Sequence, residues 1–322
     1  MKTIATLAAA VALPGAVHAA SITDFTSLTI FGDSLSDAGR AAAAAAAFGQ
    51  PSPTPAELGY FEGRQFSNDA VWADTVGQSF AAEGVRVENL AFGGARADNP
   101  STAPTRIPDF DEQIDTAVER GAPAGDRALA AVWFGANDLF ATTGGQPLAG
   151  FAAIEALNAG LGRLQDVGYS DVLVFNLPDL GELPGPREIG SLAQLAARGA
   201  TLAFNAGVAN AVDGLLAGVD APNAELIDTF ALFDDFLADT DKIVDGQCVT
   251  GPGTACDDPD DFVFFDDVHP TGDLHDILAE AALAGIAALP DSVAPVPLPA
   301  GGILLLGGFA ALGGLRVRTR RV

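Results

Sequence analysis

Five short runs along the chain are apolar, or partly so, and each is followed by a turn signal. They are residues 27–31 (SLTIF), 86–91 (RVENLA), 129–134 (LAAVWF), 171–176 (DVLVFN) and 224–228 (AELID). Runs of this length and composition predict strands of a parallel sheet covered on both faces. Helical patterns lie between them. Residues 69–82 carry apolar Val71, Trp72, Val76 and Phe80, with Ser67 or Asn68 placed to cap the helix. Residues 151–166 and 189–217 are rich in alanine and leucine and free of proline; the second predicts one long helix over a sheet face. Residues 274–288 predict the last helix. Strands alternating with helices imply right-handed βαβ crossovers and a three-layer α/β/α sandwich. The alanine run 41–47 fits a helix or an insertion loop equally well, and no repeat recurs at a fixed period.

Charge narrows the partners. The 322 residues hold 42 acids and 16 bases, a net charge of −26. Lys2 and Arg316, Arg318, Arg320 and Arg321 lie in the terminal segments; without them, 11 bases face 42 acids between residues 21 and 292, net −31. Nucleic acid is therefore not an expected partner, since phosphate binding needs clustered Lys and Arg. The acidity reads as a solvated surface. The acidic run 257–262 (DDPDDF) reads as a wet loop, with a calcium site conceivable there. Two cysteines and few histidines offer no zinc site, and neither a cofactor nor a metal is expected.

The termini carry targeting patterns. Residues 1–20 combine one Lys, an apolar run and a small-residue end, the pattern of a secretory signal cut near Ala19 or Ala20. Cys248 and Cys256, eight positions apart in an exported chain, are expected to pair. Residues 292–315 contain no charge, and RVRTRRV follows. A stretch of that length can span a bilayer with the arginines on the cytoplasmic side. Val296, Pro297, Leu298, Pro299 and Ala300, followed by an apolar stretch and an arginine cluster, resemble the PEP-CTERM class of bacterial sorting tails in its VPLPA form. That resemblance implies a tail that engages membrane and sorting machinery and is then removed; a permanent anchor is the alternative. The expected division is a signal (1–20), a catalytic domain (21–291) and a sorting tail (292–322), with the domain in the envelope or outside the cell.

In parallel sheets, ligands bind beyond the carboxyl ends of the strands. The predicted strand ends place Asp33-Ser34, Gly93-Gly94, Asn137-Asp138 and Pro178-Asp179 there. A serine at a strand-to-helix turn is a helix cap or a nucleophile, and a nucleophilic hydroxyl needs a base. Histidine suits that task because its pKa sits near working pH. With His18 in the signal, His269 and His275 remain; His275 falls inside the final helix, where a structural or solvent-facing position is expected.

Taken together these segments resemble the GDSL, or SGNH, family of serine esterases. FGDSLSDAG (31–39), NLAFGGARA (89–97), GANDLF (135–140) and FDDVHPT (265–271) match four of its blocks in order and spacing. GRQFSNDAVWAD (63–74) and NLPDLGELP (176–184) add to the likeness, which runs from about residue 26 to 288. The resemblance implies a flavodoxin-like three-layer fold and hydrolysis of carboxylic esters through an acyl-enzyme. It makes Ser34 the nucleophile, His269 the base and Asp266 the group that orients the imidazole. Asp267 is a rival for that last role. It implies an oxyanion hole from the N–H groups of Ser34 and Gly94 and the side chain of Asn137, with Gly93 the alternative to Gly94. The substrate is expected to be a small-molecule or polymer-borne ester: a simple acyl ester, an acetylated polysaccharide or a phospholipid. An envelope scaffold for adhesion or matrix assembly, with incidental catalysis, is the reading from another class. Loops 40–66 and 139–150 are expected to wall the pocket.

Overall fold

A computed structural model of the chain describes residues 20–98, 107–143, 149–218, 220–251 and 253–290. The unit described below spans residues 18–289. The expected signal, apart from Ala20, and the expected sorting tail lie outside the described residues. Among the described residues, no helix is long and apolar enough to cross a membrane.

All five predicted strands form one sheet: β1 (Ser27–Gly32), β2 (Arg86–Asn89), β3 (Ala128–Trp133), β4 (Asp171–Phe175) and β5 (Asn223–Ile227). They run parallel throughout, in the order β2-β1-β3-β4-β5. The three-layer α/β/α expectation is met. Every residue of β1, β3 and β4 is buried, which explains why these strands read as unbroken apolar runs.

The helices in chain order are α1 (Arg40–Ala47), α2 (Trp72–Ala82), α3 (Phe110–Glu119), α4 (Ala136–Thr143), α5 (Ala149–Val167), α6 (Pro184–Ile189), α7 (Ser191–Leu216), α8 (Thr229–Asp239) and α9 (Gly272–Ala288). The two sheet faces are covered by two groups, α2 with α9 and α3 with α5 and α7. Aromatic rings mark both layers. Trp72, Trp133 and Phe175 pack against one another on the α2 face. Phe31 meets Phe110 and Tyr169 edge-on on the α3 face.

Several boundaries differ from the expectation. The alanine run 41–47 is helical. The helix expected over 189–217 begins at Ser191, because Gly190 (φ 115°, ψ 176°) breaks it from α6. The helix expected from 69 starts at Trp72 and is capped by neither Ser67 nor Asn68. Those side chains tie this segment to the chain before α9: Ser67 Oγ donates to the Pro270 carbonyl at 2.9 Å, and Asn68 Oδ1 accepts from Gly272 N–H at 3.0 Å. Helices α3, α4 and α8 are not foreseen, although Asp109 and Glu112 form a capping box at the head of α3. A second sheet was also unforeseen: β6 (Ile243–Gln247) and β7 (Phe262–Phe264) pair in parallel. In the acidic run, Asp258 caps a 3-10 turn over Pro259–Asp261. Among the described residues, no group of three or more His, Cys, Asp or Glu is arranged to hold a metal ion.

Candidate active site

Strand order decides where the site lies. β1 and β3 are neighbours, β2 lies outside β1, and β4 and β5 lie outside β3. The order reverses between β1 and β3, so their carboxyl ends border the crevice where such sheets take ligands. Ser34 follows β1 and Asn137 opens α4 just after β3.

The turn after β1 is tightly held. Asp33 accepts from the Leu35 N–H through Oδ1 and from the Ser36 N–H through its carbonyl. A Cβ at Gly32 would lie 3.0 Å from Ser36 Oγ and from the Trp133 carbonyl, so a larger residue beneath Ser34 would press these neighbours aside. Asp37 then accepts four N–H groups: Gly39 at 2.7 Å, Arg40 at 2.6 Å, Ala41 at 3.0 Å and Gly93 at 2.7 Å. One carboxylate thus satisfies the start of α1 and pins the loop after β2.

Ser34 Oγ lies 2.8 Å from His269 Nε2, across 235 positions of sequence. Both oxygens of Asp266 lie 2.8 Å from His269 Nδ1. Asp266 Oδ1 also accepts the N–H groups of Val268 and His269, so the turn folds around its own carboxylate. Asp267 is exposed and makes no such contact. β7 delivers the turn, and the Phe265 N–H donates to the His269 carbonyl at 2.8 Å to close it. Phe66 lies over the imidazole, with ring centroids 5.1 Å apart.

Electrostatics follow from this burial. Desolvation alone would raise the Asp266 pKa, but the imidazolium charge and the hydrogen bonds outweigh it and hold the carboxyl down at about 2. Burial opposes charging His269, yet the attraction of Asp266 outweighs it and raises the imidazole above its usual value. Asp33, fully buried, is pushed up to about 7. His275 is buried, not solvent-facing; its Nδ1 accepts from the Trp72 N–H at 3.4 Å, and burial lowers its pKa to about 3.

The three expected oxyanion donors line the same cavity as Ser34 and His269. Gly94 has φ 81°, a conformation that favours glycine. The Gly93 N–H is committed to Asp37, whereas no described residue accepts from the N–H of Ser34 or Gly94. Asn137 Nδ2 donates to the Ala95 carbonyl at 2.9 Å and to Asp33 Oδ2 at 3.3 Å, so to serve an oxyanion it must release the longer bond to Asp33. Asp138 accepts the N–H groups of Ala97 and Asp98 and pairs with Arg96, which fixes the far side of that loop. Asp179 stands apart: it caps Gly181 and pairs with Arg198.

The cavity measures about 270 Å³ and is walled chiefly by apolar side chains. Phe66 and Phe140 come from the two segments expected to form it, although Phe140 lies in helix α4 rather than in a loop. The strand-end blocks supply much of the rest, and further apolar wall comes from elements the pattern did not foresee or did not place here: Leu232 and Phe233 of α8, Phe264 of β7, and Leu274 and Leu278 of α9. Tyr60 and Asp37 also escaped the sequence reading. Asp37 had a readable signal, an Asx residue just before Gly39 and a helix; Tyr60 had none.

The profile of the GDSL-like lipase/acylhydrolase family matches residues 28–282. The chain is 32% identical over 168 residues to a phosphatidylcholine-sterol acyltransferase of Aeromonas hydrophila, covering 51% of this chain and 48% of that one. It thus spans about half the length of that curated relative. Among solved structures, the acetylxylan esterase Axe2 of Geobacillus stearothermophilus superposes with TM-score 0.48 at 16% identity, over 81% of this chain and 94% of that one. A GDSL-like lipase structure from Parabacteroides merdae gives 0.47 at 12% identity, over 81% and 96%. With the family profile running from residue 28 to 282, across the sheet and every strand-end block, the chain belongs to the GDSL-like lipase/acylhydrolase family.

Proposed function

We propose that the protein is an exported serine esterase that cleaves esters with an extended apolar acyl group through an acyl-enzyme intermediate. The observation that carries this is the placement of the Ser34–His269–Asp266 chain at an apolar cavity of about 270 Å³. Ser34 Oγ forms a bond to the ester carbonyl carbon while its proton passes to His269 Nε2. Asp266 holds the imidazole with Nε2 toward the serine and stabilises the imidazolium. The oxyanion rests on the N–H groups of Ser34 and Gly94, which no described residue engages, and on Asn137 Nδ2 once it exchanges its 3.3 Å bond to Asp33 for the oxyanion. The carbon–oxygen bond to the alcohol breaks, and the alcohol leaves with the proton from His269. Water, deprotonated by the same nitrogen, then cleaves the acyl-enzyme.

The walls favour the acyl-lipid reading over polysaccharide deacetylation. A cavity of about 270 Å³ is larger than an acetyl group fills, whereas an alkyl chain would bury against apolar walls such as Phe233, Phe264 and Leu278, at roughly 0.8 kcal/mol per CH₂. The partial likeness to an enzyme named for phosphatidylcholine supports the same class. Export is supported by the N-terminal pattern and by the Cys248–Cys256 disulfide, which belongs in an oxidising compartment. The tail at 292–322 would engage membrane and sorting machinery.

A panel of p-nitrophenyl esters of rising chain length tests the substrate class: kcat/KM should rise beyond acetate, and hydrolysis confined to acetate would overturn it. Ser34→Ala should lower kcat by about 10⁶, and a fluorophosphonate probe should label Ser34 alone. Folded protein that resists the probe would instead favour the scaffold reading.

A further inference from the structure

Tyr60 lies 206 positions from Asp266, yet its hydroxyl donates to Asp266 Oδ2 at 2.8 Å. A carboxylate offers about four acceptor sites. The N–H groups of Val268 and His269 and the imidazole Nδ1 engage this one, and Tyr60 completes the set. The segment carrying Tyr60 has little regular structure, with 3-10 turns over Ala56–Leu58 and Phe61–Gly63 on either side. Tertiary contact fixes the ring instead. It meets Phe265 edge-on, with centroids 4.9 Å apart and planes at 89°. Phe265 belongs to a small apolar cluster with Cys248 and Val249, against which Leu58, Tyr60 and Cys256 pack. The N–H groups of Cys248 and Val249 donate to the carbonyls of Phe264 and Phe265 at 3.1 and 2.7 Å, fastening the disulfide loop to the strand that delivers Asp266.

We propose that Tyr60 is a positioning residue for ester hydrolysis: its hydroxyl sets the plane of the Asp266 carboxylate and, through it, the orientation and basicity of His269. This rests on the triad reading above. The ring alone would fill the space beside Phe265, so the hydroxyl is the part that acts on the chemistry. A hydrogen bond to an ionised carboxylate draws charge toward the donor and weakens the carboxylate's hold on the imidazolium. The titratable groups facing His269 are Asp266 and Asp267 from its own turn, Asp33 from the turn after β1, and His275, neutral over the tested range, from α9. Removing the hydroxyl alters only the contact with Asp266.

Two changes of opposite sign test this. Tyr60→Phe keeps the ring on Phe265. It should lower kcat about tenfold with KM unchanged, the size of one hydrogen bond to a charged group, and move the acid limb of the kcat/KM profile to higher pH. Biosynthetic replacement of tyrosine by 3-fluorotyrosine strengthens the donor, and should move that limb to lower pH. Only two tyrosines are present, and Tyr169 packs on Phe31 away from the triad. If Tyr60→Phe fails to fold, the fluorotyrosine protein decides alone. Profiles of both proteins that superpose on the parent's would overturn the proposal. Full turnover by Ser34→Ala would overturn the triad reading instead; an inactive Ser34→Ala beside an unaltered Tyr60→Phe would sink only the role of Tyr60.

Discussion

The N–H of Gly93 donates to Asp37 Oδ2 at 2.7 Å, joining the turn that carries Ser34 to the loop that carries Gly94. Four N–H groups converge on that one buried carboxylate, and burial raises its pKa while those bonds oppose the rise. Asp37→Ala leaves all four without their acceptor. Loss of a buried partner costs about 1–3 kcal/mol or more, so the denaturant midpoint should fall. Because Gly94 loses its anchor, kcat should fall more than KM changes. Steady-state kinetics well below the new melting temperature would separate the two effects.

The Asp266–His269 pair sets the pH dependence. Catalysis needs neutral His269, and its pKa is raised, so kcat/KM should fall as pH drops through a value above the ordinary 6.5. Asp266→Asn removes the attraction that raises it. The acid limb should then move to lower pH while kcat falls by about 10⁴, as for loss of a triad carboxylate. A pH–rate profile of both proteins checks the direction. The stability contribution of Asp266 is lost in the same direction but in a lower window: it is complete above the unfolded value of 3.8 and is lost as pH falls through about 2.

The Cys248–Cys256 disulfide should matter to turnover as well as to stability. It closes an eight-position loop and braces the carbonyls of Phe264 and Phe265. A loop that short is worth about 2–3 kcal/mol in chain entropy. Reduction, or paired Cys→Ser replacement, should lower Tm and also kcat, since Asp266 follows the braced strand. Tm measured alongside activity would show a fall in Tm with unchanged kcat if the brace does not reach Asp266.

At the other end of the sheet, Arg127 and Asp171 form a buried ion pair at 3.0 Å, with side chains 5% and 1% exposed. Asp171 also accepts from Ser170 and Asn223, and Arg127 lies over the Phe25 ring. Arg127→Met leaves a buried charge uncompensated and should cost about 3–5 kcal/mol. The site lies beyond the opposite strand ends, so kcat of the folded fraction should hold. Urea unfolding followed by kinetics at low temperature makes that comparison.

Much of the site could be read from the chain, and the misreadings share one cause. Ser34, Asp266 and His269 stand out because each sits in a short block that resembles a family motif, and the structure brings them within hydrogen-bond distance in a chain. Ser67 and Asn68 were misassigned as caps because their side chains have two uses, a local N–H or a distant partner, and the distant one at Pro270 and Gly272 prevailed. The choice between Gly93 and Gly94 was open in the sequence for a similar reason. An N–H is available to substrate only if nothing else takes it, and Asp37, 56 positions away, takes that of Gly93.

The amino-acid order by itself determined the five strands, the layering and the chemical types gathered at the strand ends. These follow from periodicity and from blocks a few residues long, over which backbone conformation is nearly local. Only the tertiary structure decided that Tyr60 meets Asp266, that α8 and β7 wall the cavity, and which donors stay unengaged. Those outcomes depend on hydrogen-bond saturation and packing between segments up to 235 positions apart, and no local pattern encodes which of several competing partners a buried group will find.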